Sequence, residues 1–95
     1  MNPSRLARLE TALLALPNGS FTGASQDRRY IVTKSLFNAG KSMKLVAEEL
    51  GGADYISLNF YRLARGSRLF PCEMSVEKVT DFILDLRPHP VQAEA

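Results

Sequence analysis

The stretch Tyr55-Ile-Ser-Leu-Asn-Phe-Tyr-Arg-Leu63 alternates apolar and polar residues. A period of two describes a β-strand with one buried face, not an amphipathic helix. Ile56, Leu58 and Phe60 form the face that seeks a core. Tyr55, Ser57, Asn59 and Tyr61 form the other, with Arg62 just beyond. A sheet surface that only has to be soluble has little use for exposed rings. The second face is therefore the strongest functional lead in the chain.

The flanking segments supply partners for this strand. Residues 29–37 are rich in β-branched and aromatic side chains and read as a strand. "NAGK" then makes a turn. Residues 42–50, "SMKLVAEEL", allow two readings. Met43, Leu45 and Ala47 alternate as in a strand, yet Lys, Leu, Ala and Glu are good helix formers and Gly51 stands at a helical C-cap position. The strand is favoured because two strand-like segments flank it across short turns. A fourth strand runs from Arg68 to Glu73, and Pro71, with no N–H to donate, confines it to an edge or marks a bulge.

Two helices frame the strands. Asn2 as cap, Pro3 at the first helical position and the stripe Leu6, Leu9, Leu13 and Leu16 predict an N-terminal helix over 1–16. Gly, Ser, Asn and Thr dominate 17–28, which reads as a loop. Ser75 caps a second helix, with Met74 and Val79 in the two staple positions, and Pro88 and Pro90 stop it. Residues 88–95 read as a disordered tail. The expected fold is α+β: a 29–87 ββββα unit whose four-stranded antiparallel curved sheet carries both helices.

The apolar arc of the second helix, Val76, Val79, Phe82, Ile83, Leu86 and Leu84, spans about 200°, where a surface helix needs little more than about 100°. Such a helix is covered from two sides. One cover is its own sheet. The other is either the N-terminal helix or the same helix of a second subunit, in which case Val79, Phe82, Ile83 and Leu86 form a homodimer interface.

Ninety-five residues, 45% of them apolar, make one domain with a modest core. No apolar run reaches the roughly 20 residues that span a bilayer, and the first residues lack a secretory signature. A single cysteine, Cys72, excludes an internal disulfide and suits the cytoplasm. The net charge is only +2, but its distribution is uneven. Between Arg28 and Arg68 stand Arg28, Arg29, Lys34, Lys41, Lys44, Arg62, Arg65 and Arg68, against Glu48, Glu49 and Asp54. A basic middle segment is a footprint for a polyanion, or a solvated surface of scattered cations.

Catalytic constellations are hard to assemble. His89 lies between two prolines in the tail, and Cys72 has no second Cys or His with which to hold zinc. Asp81 and Asp85, four apart, read with Glu77 and Lys78 as a solvated helix face. "GKS" at 40–42 lacks the upstream glycine of a phosphate-binding loop, and "GG" at 51–52 is a turn. No catalysis, cofactor or metal is expected.

Tyrosines interleaved with lysine and arginine suit single-stranded DNA or RNA, whose bases stack on rings while the backbone follows positive charge. Alternatively, the rings pack beneath the N-terminal helix or within a dimer, and the domain is a protein-interaction or structural module.

From about Arg29 to Leu86 the order of elements resembles the transcriptional positive-coactivator and Whirly superfamily of single-stranded-DNA-binding regulators. "FNAGKSMKLVAE" resembles its basic hairpin leading into a strand. "YISLNFYRL" resembles its long amphipathic strand, and "CEMSVEKVTDFI" its passage from last strand to capped helix. The resemblance implies a homodimer through the C-terminal helix, with nucleic acid crossing the sheet at Lys34, Lys41, Lys44, Tyr55, Tyr61, Arg62, Arg65 and Arg68. The chain departs from that pattern in its extra N-terminal helix and in Glu48 and Glu49 of the second strand.

Overall fold

Each short polar segment between the apolar runs closes a hairpin, and the result is an antiparallel meander. The computed structural model describes residues 1–89. Helix α1 (Pro3–Ala15) is followed by strands β1 (Gly19–Ser25), β2 (Arg28–Phe37), β3 (Ser42–Glu49), β4 (Tyr55–Leu63) and β5 (Gly66–Pro71). Helix α2 (Val76–Asp85) and the short strand β6 (Arg87–Pro88) complete the described chain. The sheet order is β5-β4-β3-β2-β1-β6, antiparallel throughout. Sequential neighbours pair everywhere except at β6, which α2 carries across to the far edge beside β1.

The architecture is α+β, with both helices on an antiparallel sheet, but the sheet has six strands rather than the expected four. Residues 42–49 are a strand. The expected loop over 17–28 contains β1. That strand was hidden because, of its helix-facing positions, alternating with Ser20, Thr22 and Ala24, only Phe21 is a large apolar residue; Gly23 and Ser25 are too small and polar to extend it into a core face. Small residues are what the place demands. A methyl group on Gly23 would lie 3.0 Å from the Arg87 carbonyl oxygen, and Ser25 donates to the Phe82 carbonyl oxygen at 2.9 Å. Gln26 and Asp27, at φ 53° and 63°, form the two-residue turn that matches strand twist. Of the expected tail, Pro88 belongs to β6 and the His89 amide donates to Thr22 O at 2.9 Å; 90–95 lie outside the described residues.

One face of the sheet carries the core. Val32, Leu45, Ala47, Ile56, Leu58 and Phe60 point to the helices, which answer with Leu9, Leu13, Val79, Phe82 and Ile83. Each of these Val, Leu, Ile and Phe side chains, fully buried, contributes about 1.5–3 kcal/mol of transfer free energy, and the Ala47 methyl less. Tyr30 meets Phe82 edge to face with ring centroids 4.8 Å apart.

Two expectations change here. Val79, Phe82, Ile83 and Leu86, assigned to a dimer interface, are buried in the chain's own core. The second cover of α2 is α1, joined to it at the rim by Arg5 and Asp81 at 2.6 Å. Lys34, assigned to nucleic acid, is only 3% exposed and points to the helices. Its ammonium donates to the carbonyl oxygens of Leu13 at 2.6 Å and Leu16 at 2.9 Å. The last carbonyls of a helix have no partner within it, and a cation there meets both their hydrogen bonds and the negative end of the helix dipole. Burial pulls the Lys34 pKa below the ordinary lysine value.

Candidate nucleic-acid interface

Both helices lie on one side of the sheet, so the other side is open. The register defines its rows. Ile31, Glu48 and Tyr55 form one, and Thr33, Val46 and Ser57 the next. Ser35, Lys44, Asn59 and Phe70 follow, and then Phe37, Ser42, Tyr61 and Arg68. Neither helix covers the tyrosine face of β4.

The rows are not equivalent. The last two, beside the β2–β3 and β4–β5 turns, hold Phe37, Tyr61 and Phe70 together with Lys44 and Arg68. Tyr61 and Phe70 meet edge to face, centroids 5.5 Å apart at 72°. Phe37 and Phe70 are each 52% exposed, a large area of ring to leave in water. The β2–β3 loop is folded against this corner by Asn38, whose amide donates to Ser42 Oγ at 3.1 Å. Lys41 and Arg65 stand exposed in the two turns at the same end.

The opposite end is polar and internally paired. Tyr55, 44% exposed, sits directly opposite Glu48, and the Lys78 ammonium lies 6.0 Å from its ring centre. Asp54 accepts from Lys78 Nζ and from the Tyr30 hydroxyl, both at 2.8 Å, with an Arg28 guanidinium nitrogen 3.8 Å away. The Lys78 hydrogen bond, above all, holds the Asp54 carboxyl below its ordinary range. Burial, aided by the Asp54 charge, pushes the Tyr30 phenol up to about 12.

Of the residues expected to contact nucleic acid, Lys44, Tyr61 and Arg68 share the open basic end, with Arg65 on its rim; Lys41, exposed in its turn, lines a cavity with Arg62 and Glu10 on the helix side. Tyr55 shares the face but lies beside a carboxylate. Arg62 does not share it. Its side chain turns to the helix side and binds Glu10 Oε2 through Nε at 3.2 Å. Phe37 and Phe70 were missed, although each follows the alternation of its strand; Phe70 sits two residues from Arg68 on the same face. Arg29, also on the open side, was counted as charge but not placed.

Cys72 is half-buried beyond β5, where the Asn59 amide nitrogen approaches its sulfur at 3.6 Å. His89 lies beside β1, across the sheet, 3.3 Å from Thr22 Oγ1. The two cannot act as a nucleophile and base together. Among the described residues no group of three or more His, Cys, Asp or Glu stands close enough to hold a metal ion, and no helix is long and apolar enough to cross a membrane. No family model, curated protein or solved structure matches the chain.

Proposed function

We propose that the protein binds single-stranded nucleic acid on the open face of its sheet, at the end that carries Phe37, Tyr61, Phe70, Lys44 and Arg68. The observation that carries this reading is the coincidence, in two adjacent rows, of exposed or half-exposed rings with cations that no carboxylate pairs with among the described residues. Bases stack on such rings irrespective of sequence, each worth about 1–3 kcal/mol, while cations track the phosphates. A double helix hides the faces of its bases and could not use the rings. The run of four antiparallel strands and a helix, from Arg28 to Asp85, also fits the plan expected of the coactivator and Whirly superfamily.

The test is binding of a labelled oligothymidylate by fluorescence polarisation across a salt series. Lys44, Arg65 and Arg68, engaging one phosphate each, give a slope of log K on log salt of about −2. A slope near zero, or no binding at low salt, defeats the reading. A protein partner is the second reading, favoured by Ile31, 42% exposed, and half-buried Val46, which offer apolar contact but no ring. A doubled mass in solution, abolished by Ile31→Glu, would instead identify a second copy on this face.

A further inference from the structure

At the basic end of the sheet, successive rows face opposite ways. Ser42, Tyr61 and Arg68 face the open side. One step on, Lys41, Arg62 and Ser67 belong to the helix side: Arg62 lies opposite Ser67, and its amide donates to the Lys41 carbonyl oxygen at 2.7 Å. These three, with Glu10 of α1, line a cavity of about 550 Å³ walled in part by Leu63 and Ala64. That volume is in the range of small-ligand sites.

The cavity already holds an anion. Glu10 Oε2 accepts from Arg62 Nε at 3.2 Å, and Glu10 Oε1 pairs with the Ser67 hydroxyl. Lys41 lines the same space, and among the described residues no carboxylate pairs with it. The cavity therefore gathers two cations and a hydroxyl around one carboxylate, which pairs with Arg62 and Ser67 and leaves Lys41 over. That carboxylate ends a flexible side chain, which can swing to another rotamer once a competing anion takes over Arg62 and Ser67. Leu9 and Leu13 keep α1 docked whatever Glu10 does.

We infer that this cavity is a phosphate site, and that the Glu10 carboxylate stands in for the phosphate in the free protein. A phosphate monoester carries a charge of about −1.5 to −2 at pH 7 and offers three strong acceptor oxygens. It satisfies Arg62 and Ser67 as Glu10 does and has oxygens left for Lys41. Charge-assisted hydrogen bonds of this kind are about twice as strong as neutral ones. The phosphate is either free in solution or the end of a strand lying on the open face, across the tip of the β4–β5 hairpin. The second source rests on the nucleic-acid reading; the first does not.

Inorganic phosphate and two oligothymidylates of equal length, one with a 5′-phosphate, are titrated into the full chain while amide chemical shifts are followed. Glu10→Gln and Lys41→Ala are measured alongside. Free phosphate is expected to move the amides of Lys41, Arg62 and Ser67. Its affinity should rise about three- to tenfold in Glu10→Gln, where the competing charge is gone, and fall by a similar factor in Lys41→Ala. A 5′-phosphate that strengthens strand binding, more so in Glu10→Gln, assigns the site to a strand end. Phosphate binding without binding of either oligonucleotide leaves the cavity assignment standing and removes the open-face reading. Equal binding of the two oligonucleotides, with no response to free phosphate, does the reverse. Should Glu10→Gln melt early, Lys41→Ala, in an exposed loop, decides alone: unchanged phosphate affinity in that variant overturns the inference.

Discussion

Lys34 Nζ lies 2.6 Å from the Leu13 carbonyl oxygen, so the centre of the sheet is tied to the end of α1 by a buried ammonium. The same nitrogen reaches Leu16 O at 2.9 Å. Replacing Lys34 by Met keeps most of the volume but removes the Leu16 carbonyl's ammonium partner and leaves the Leu13 carbonyl only the Leu16 amide, 3.3 Å away. Buried polar groups left without partners cost about 1–3 kcal/mol. Lys34→Met should therefore lower the urea midpoint by a corresponding amount, while Lys44→Met, on the open face, should leave it nearly unchanged. Equal midpoints for Lys34→Met and the parent would show that the ammonium holds nothing.

The two ends of the open face should separate by mutation. Tyr61→Ala and Phe70→Ala each remove a stacking surface, and each should weaken oligothymidylate binding about tenfold, within the range of about 1–3 kcal/mol per base. Tyr55→Ala, beside Glu48, should change affinity by less than about twofold. Melting temperatures need to accompany these data. A large drop for Tyr61→Ala would mark the ring as structural, and a Tyr55→Ala effect as large as that of Tyr61→Ala would return the site to the whole face.

Stability should fall at both extremes of pH, through linked groups. The Asp54 pKa is depressed in the fold, so its contribution is present above the unfolded value of about 3.9 and is lost as pH falls through the folded value. The Tyr30 pKa is raised to about 12, so its contribution is complete below about 10 and is lost as pH rises through 12. Across that window the loss is on the order of 3 kcal/mol. Tyr30→Phe should flatten the alkaline limb of a stability profile, and Asp54→Asn the acid limb. Profiles parallel to the parent's would contradict the assignment.

Gly23→Ala tests how β6 closes the sheet. The added methyl would meet Arg87 O at 3.0 Å and Leu86 Cδ1 at 3.2 Å. Crowding of this kind costs about 1–3 kcal/mol. Hydrogen exchange should show the His89 amide, bonded to Thr22 O at 2.9 Å, losing protection before the β3 and β4 amides do. Unchanged protection at His89 would mean that the strand shifts to accommodate the methyl.

The sequence by itself determined every element with a clear apolar period. β2, β4, β5 and both helices were legible, because alternation in Ile56, Leu58 and Phe60, or helical spacing in Leu9 and Leu13, reflects burial of one face and little else; β3, whose own residues allow a helix as well, was read from the strands that flank it. It also set Tyr55 and Tyr61 on one face, opposite the core face of their own strand, but not whether a helix covers that face. Only the tertiary structure decided the rest. β1 carries glycine and serine where a core face would show leucine, and its pairing comes from a neighbour. A lysine reads as surface until a helix end supplies carbonyls for it, as happens to Lys34. Arg62 and Arg68 look alike in the chain, yet register sends one to Glu10 and the other to Tyr61. Which cations gather with which rings depends on strand partners far apart in sequence, and local spacing carries no record of them.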